Sequence, residues 1–242
     1  MSVKLIHGDC LEEMPKLIKE GVKVDLILTD LPYGTTACKW DTVIPFKPMW
    51  KMINQLIKPE CPVVLFGSEP FSTKLRNSNI NEFKYDWIWE KPQGANFMQV
   101  KYAPYKVHEI ISVFKNHNYY PLMSKGKPYT SGKGTSGDIT NNVRKIQTKN
   151  NGTRYPRSIL RFKQDKTKSK HPTEKPVKLL KYLILTYTKK RQTVLDFTMG
   201  GGSTAIACLQ TRRNFIGIEL NEDYFNIAET RVKNYYKNGG KI

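Results

Sequence analysis

Short apolar runs alternate with helix-periodic segments at both ends of this chain, and a basic, loop-like stretch separates the two ends. The runs at 3–6, 24–28, 63–66, 87–89, 110–114, 194–195 and 215–218 are rich in Val, Ile, Leu and aromatic residues. They predict strands. The segments 10–19, 48–57, 71–77, 177–188, 203–211 and 222–236 predict helices. In the last of these Phe225, Ala228, Val232 and Tyr235 recur at three- and four-residue steps, which makes one apolar face. Asn221 stands where an N-cap belongs, and Glu222 and Asp223 fall in the favourable first turn. Strands that alternate with helices bury both faces of a sheet, so the pattern predicts an α/β fold.

The middle of the chain reads differently. The whole sequence has 242 residues and a formal charge of +19. Residues 115–175 hold fifteen Lys/Arg against three acids, so twelve of those nineteen charges fall in a quarter of the chain. This stretch is poor in aliphatic residues and rich in Gly, Ser, Thr and Asn, which reads as long loops. A solvated linker and a phosphate-facing surface both fit that composition. Tyr119, Tyr120, Tyr129, Tyr155 and Phe162 interleave with the charges and favour a nucleic-acid surface, because rings stack on bases. Lys133, Arg144, Lys145, Arg154, Arg157, Arg161 and Lys163 are the candidate contacts. The expected division is 1–114 and 171–242 as two halves of one core, with 115–170 inserted between them.

Other classes are excluded. No run of 18 apolar residues occurs, so no membrane span is expected, and residues 1–10 lack the apolar centre of a signal peptide. Cys10, Cys38, Cys61 and Cys208 lie far apart with no CxxC. Neither a metal site nor a disulfide framework is expected, and the chain reads as a soluble cytoplasmic protein.

Two constellations carry chemistry. In the first, a strand ends at Asp196, Phe197-Thr198-Met199 lead into Gly200-Gly201-Gly202, and a helix starts near Ser203. Glycines at such a turn let a ligand approach the backbone closely. Glu219 closes the next strand, where an acid suits the two hydroxyls of a ribose. NAD and S-adenosylmethionine fit this arrangement equally. The second constellation is Asp30-Leu31-Pro32-Tyr33, directly after a strand. It sets a carboxylate, a backbone carbonyl and a flat ring at a strand's carboxyl end, where α/β enzymes place their sites.

Asp30-Leu31-Pro32-Tyr33 resembles the catalytic motif of the DNA amino-methyltransferases. The segment from Asp196 to Ser203 resembles their adenosylmethionine motif. His171-Pro172-Thr173-Glu174-Lys175-Pro176-Val177 is similar to the segment before that motif in the beta-type, permuted group. Residues 4–9 and 85–92 match further segments of the group. The motif order, catalytic then cofactor, is the beta-type order. Leu31 stands where a Pro is common, Phe197 likewise, and Gly201 and Ser203 stand where Ser and Thr are frequent. The turn and its backbone amides survive these differences.

The resemblance implies a Rossmann-like, seven-stranded mixed sheet with helices on both faces. It implies an enzyme that moves a methyl group from S-adenosylmethionine to the exocyclic amine of a base flipped out of duplex DNA. Tyr33 would stack on the base, and Asp30 and the Leu31 carbonyl would accept the amine hydrogens. Asp9, Asp30, Thr173, Lys175, Asp196, Phe197, Thr198, Gly200, Gly202 and Glu219 would hold the cofactor, with Asp9 toward the adenine and Thr173 or Lys175 toward the carboxylate. Asp9 also suits capping the helix at Leu11. Asp at the first motif position favours N6 of adenine, and N4 of cytosine is the alternative. A homodimer and no metal requirement are implied as well. Two readings from other classes stay open. One is an NAD-dependent oxidoreductase, which leaves Asp30-Leu31-Pro32-Tyr33 without a role. The other is a DNA-binding protein without catalysis, although the motif residues are retained.

Overall fold

The computed structural model describes residues 1–35, 41–94, 96–130, 149–163 and 174–240. The expected contacts Lys133, Arg144 and Lys145, and also Thr173, lie outside the described residues, as do Cys38, Trp40 and His171.

All seven expected strands and six expected helices form. In chain order they are β1 (Val3–His7), α1 (Cys10–Lys19), β2 (Leu26–Asp30), α2 (Phe46–Leu56), β3 (Val63–Gly67), α3 (Phe71–Asn77), β4 (Phe83–Glu90) and β5 (His108–Phe114). Four two-residue strands follow: β6 (Ser124–Lys125), β7 (Tyr129–Thr130), β8 (Lys149–Asn150) and β9 (Thr153–Arg154). The chain then forms β10 (Ile159–Arg161), α4 (Val177–Tyr187), β11 (Thr193–Asp196), α5 (Ser203–Thr211), β12 (Asn214–Glu219) and α6 (Glu222–Lys237). The caps follow from side chains. Asp9 accepts the Leu11 N–H at 2.7 Å and starts α1, and Asn221 accepts the Tyr224 N–H at 3.1 Å and starts α6.

The main sheet has the order β1-β12-β11-β2-β3-β5-β4-β10. Only β5 runs antiparallel to its neighbours. The sheet thus has eight strands, one more than the seven expected. The extra strand, β10, pairs with β4 and buries only its central residue, Leu160. One buried position in three residues leaves no periodic trace in a sequence.

The helices cover both faces, and successive strand residues point to opposite ones. Leu26, Leu28, Val64 and Phe66 pack with Leu179, Ala205 and Ala228 from α4, α5 and α6. Ile27, Val63 and Leu65 pack with Met14, Met49, Ile53 and Phe71 from α1, α2 and α3. Strands buried on both faces read as unbroken apolar runs. From β11 the chain passes through α5 to β12, on one side of the sheet. From β2 it passes through α2 to β3, on the other. The two paths diverge between β11 and β2, and a crevice opens there at the carboxyl ends of the strands.

The chain divides into two compact units, Met1–Tyr120 with Ser158–Ile242, and Pro121–Arg157. The second unit is built on two small antiparallel ribbons, β6 with β9 and β7 with β8. Gly152 has a φ of 92° and sits so close to the Gly126 carbonyl that a Cβ would meet it at 2.7 Å. Arg154 stacks on the Tyr129 ring at 4.7 Å and donates to Asn150 Oδ1 and the Lys127 carbonyl. Among the described residues no helix is long and apolar enough to cross a membrane.

Candidate active site

A cavity of about 350 Å³ opens at the carboxyl ends of β1, β2, β11 and β12. Asp9 reaches it from the end of β1, and Asp30, Leu31, Pro32 and Tyr33 from the end of β2. Asp196, Phe197, Thr198 and Gly200 line it after β11, Glu219 after β12, and Lys175 before α4. The two constellations, far apart in sequence, therefore share one space. Gly202 stands behind the wall. Its φ is 80°, and a Cβ there would meet the Ala228 Cβ at 2.8 Å, so glycine lets α5 start close against α6.

Asp30 is held on both oxygens. The Tyr33 hydroxyl donates to Oδ1 at 2.7 Å, and the Lys175 ammonium donates to Oδ2. Lys175 also lies 3.2 Å from Oε2 of Glu109, and Lys91 donates to Oε1 of Glu109 at 2.9 Å. Two carboxylates and two ammonium groups thus form one charge-balanced cluster, with Lys175 buried and Asp30, Glu109 and Lys91 partly buried. Burial pushes the Asp30 carboxyl above the usual range and Glu109 adds to this, while Lys175 and Tyr33 pull it back. Burial works against the Lys175 ammonium, but Asp30 and Glu109 outweigh it and hold the proton more tightly than usual. Burial likewise opposes ionised Glu109, and Lys175 and Lys91 outweigh it to keep that carboxyl below its ordinary range.

The turn after Tyr33 is fixed by Asp41, which accepts the N–H groups of Gly34 at 2.9 Å and Thr35 at 2.8 Å. The turn after β11 is tied to it, because the Thr198 hydroxyl donates to the Asp30 carbonyl at 2.8 Å. Asp196 accepts from the hydroxyls of Thr29 at 3.2 Å and Thr204 at 2.6 Å, and from the Thr198 N–H at 3.2 Å. Its burial pushes the carboxyl up to about 7. Glu219 accepts the Gly200 N–H on Oε2 and the Asn221 N–H on Oε1, each at 2.8 Å. Burial raises its carboxyl, and these donors pull it back. Glu174 accepts from Ser203 and Arg231, and Arg231 also donates to the Gly201 carbonyl at 2.9 Å. The loop before α4 is thereby fastened to the glycine turn.

Two groups, the partly buried Glu109 and the buried Thr29, were not legible as site residues. Glu109 sits at the start of β5, where its one signal is an acid beside the apolar run 110–114. Thr29 is one position before Asp30 and faces Asp196 across the strand boundary. Among the candidate DNA contacts, Arg157, Arg161 and Lys163 are exposed, and Arg161 pairs with Glu90 at 2.8 Å. Among the described residues no cluster of His, Cys, Asp and Glu is arranged to hold a metal ion.

Fold and site together define a doubly wound α/β enzyme whose binding crevice lies at the point where the strand order reverses. The sequence pattern of the DNA methylase family matches residues 24–230, and the chain belongs to that family. Its relatives include the DNA adenine methyltransferase YhdJ of Escherichia coli strain K12, 25% identical over 94% of this chain and 82% of that protein. The solved M1.HpyAVI–SAM complex is similar with a TM-score of 0.63 and 24% identity, covering 95% of this chain and 99% of that one. The cytosine-N4-specific PvuII DNA methyltransferase is similar with a TM-score of 0.67 and 16% identity, covering 100% and 96%.

Proposed function

We propose that this DNA methylase transfers a methyl group from S-adenosylmethionine to N6 of an adenine flipped out of duplex DNA. The observation that carries the reading is that Asp30 and Glu219 line one cavity from the ends of two different strands. The wall suits the cofactor chemically. Glu219 offers a carboxylate for ribose hydroxyls, Asp9 one toward the adenine, and Gly200 a backbone that a ligand can approach closely. When bound, S-adenosylmethionine supplies an electrophilic methyl carbon on a sulfonium.

The residues of the chain do the positioning. An ionised carboxylate has about four lone-pair sites, so Asp30 keeps Tyr33 and Lys175 and still accepts an amine hydrogen. The Leu31 carbonyl accepts the second. Both together aim the nitrogen lone pair along the transfer line. Positive charge that builds on the attacking nitrogen is stabilised by Asp30 in a buried setting. Lys175 holds Asp30 ionised and in place, which we assign in preference to a contact with the cofactor's carboxylate. The Tyr33 ring, packed at 5.1 Å from Phe71, is the stacking surface for the base.

Adenine is favoured over cytosine because the first motif position is Asp30, as the resemblance implies, and a relative named as an adenine methyltransferase supports it. The segment 115–170 is assigned to target recognition. Cys10, Cys61 and Cys208 are buried free thiols, which suits the reducing cytoplasm. The resemblance supports a homodimer, which light scattering checks. Methylation-aware sequencing of DNA from expressing cells is the test of the whole reading. N6-methyladenine at a defined site is expected. N4-methylcytosine would move the target base, and unmodified DNA would reject the reading.

A further inference from the structure

β4 runs parallel to β2 and β3, so the connection from β4 to β5 leaves the sheet at the carboxyl end of the parallel strands, the end that carries Asp30. The base of that connection is bonded into the catalytic cluster. Lys91 at its start donates to Glu109, and Glu109 contacts the Lys175 that holds Asp30.

The neck of the loop is built. Asn96 donates to the Pro104 carbonyl at 3.0 Å and accepts the Lys106 N–H at 2.7 Å. The Tyr105 ring lies over Gly94, where a Cβ would meet it at 2.7 Å. A 3-10 turn at Phe97–Gln99 then carries the tip. At the tip the apolar residues face outward: Phe97 is 73% exposed, Met98 89% and Tyr102 91%, with Val100 and Tyr105 exposed beside them. Single exposed apolar residues are ordinary, but five within nine positions of an ordered loop mark a contact surface.

Charge selects the partner. Residues 91–108 contain Lys91, Lys101 and Lys106 and no acid. A second copy docked on this tip about a two-fold axis would set the lysines of one loop against the same lysines of the other, whatever interface a dimer uses elsewhere. Duplex DNA offers phosphates for Lys101 and, beside a base that has left the stack, apolar faces for Phe97 and Met98.

We propose that the 96–106 loop docks on duplex DNA and seats Phe97 and Met98 in the stack beside the extruded base. The inference rests on the DNA-methylating reading of the Asp30 cavity.

The test uses the full chain with F97S/M98S and F97L/M98L. The substrates are a duplex bearing the mapped site and the same duplex with a mismatch opposite the target adenine. A mismatched base is cheaper to extrude, so it needs less help from a wedge. F97S/M98S is expected to lose about tenfold or more in kcat/KM on the paired duplex and to regain most of it on the mismatched one. F97L/M98L keeps near-wild-type rates, and calorimetric affinity for S-adenosylmethionine stays within about twofold for both variants. Wild-type rates in F97S/M98S, or an equal loss on both duplexes, overturn the proposal. So does a fall in molar mass by light scattering that accounts for the loss, because the tip would then contact a second copy. Loss of cofactor affinity in both variants also overturns it, since the loop would then only support the fold. A wild-type enzyme that methylates no DNA overturns the parent reading and this one with it. An active wild type with an indifferent F97S/M98S overturns this one alone.

Discussion

The Lys175 ammonium rests on Oδ2 of Asp30, across 145 positions of chain. The contact joins the loop before α4 to the end of β2, and Glu109 also lies 3.2 Å from Lys175. Removing one member of this largely buried, charge-balanced cluster leaves an uncompensated charge, so each member has its own predicted signature.

Lys175→Met removes the group that holds Asp30 ionised. Burial and Glu109 then both raise the Asp30 carboxyl unopposed by an ammonium. In the role proposed for Asp30, methyl transfer needs the ionised carboxylate, so activity is expected to fall as pH drops through the Asp30 pKa. A higher pKa moves that fall to higher pH. The acid limb of the kcat profile is expected to move to higher pH. A limb that stays in place, with cofactor affinity intact, would refute the positioning role.

Glu109→Gln has the opposite sign for Asp30. Glu109 raises the Asp30 carboxyl, so its neutral replacement shifts the acid limb to lower pH. Stability changes as well. The Glu109 carboxyl is depressed in the folded state, so its contribution is present above the unfolded value and is lost as pH falls through the folded one. At neutral pH the variant should lose about 1–3 kcal/mol, read from urea midpoints, and the difference should shrink in acid.

Asp196 predicts a different pH window. Its folded carboxyl lies at about 7, above the ordinary value of 3.8. A raised carboxyl favours the fold fully below the unfolded pKa, and that advantage is lost as pH rises through the folded pKa. Stability should therefore decline between about pH 4 and pH 7, by up to about 4 kcal/mol. Asp196→Asn keeps the shape and removes this titration, so its urea midpoint should fall less steeply over that window, with the raised Asp30 and Glu219 carboxyls left to supply the remaining slope. A variant with the wild-type slope would show that another group titrates.

Glu219→Ala is expected to weaken S-adenosylmethionine binding by about tenfold or more, measured calorimetrically. Both Glu219 oxygens also accept backbone N–H groups, from Gly200 and Asn221, so the turn itself loosens. Glu219→Gln retains an acceptor and should recover part of the affinity. Identical affinities for the three proteins would remove Glu219 from the cofactor site.

The central strands β2, β3, β5, β11 and β12 were legible because they are buried along most of their length, which writes each as an apolar run such as the all-buried Val63–Gly67. The motif residues were legible because Asp30 and the glycine turn are local patterns at strand ends. Glu109 was not, since its meaning depends on Lys91 and Lys175, which only the fold brings to it. β10 was hidden by its length, with Leu160 its single buried residue. Lys175 reads as facing the cofactor from its charge and from its place ahead of the cofactor strand β11. Its two acidic partners come from β2 and β5, which no local pattern reveals.

The basic segment makes a last distinction, between arginines that build it and arginines that are free to bind phosphate. Arg154 stacks on Tyr129 and donates to Asn150 and the Lys127 carbonyl, so it holds the two ribbons of its unit together. Arg157 is exposed, and among the described residues it has no such bonds. Arg157→Glu should therefore weaken duplex binding uniformly across sequences and lower the slope of log affinity against log salt by about 1, with the urea midpoint unchanged. Arg154→Ala should instead increase proteolysis within 121–157 before any change in salt slope is read, because its stack and its hydrogen bonds are lost together. If Arg157→Glu left the slope as it was, phosphate contact would have to come from elsewhere on the chain. If Arg154→Ala were as protease-resistant as the wild type, its stacking on Tyr129 would not be what orders the unit.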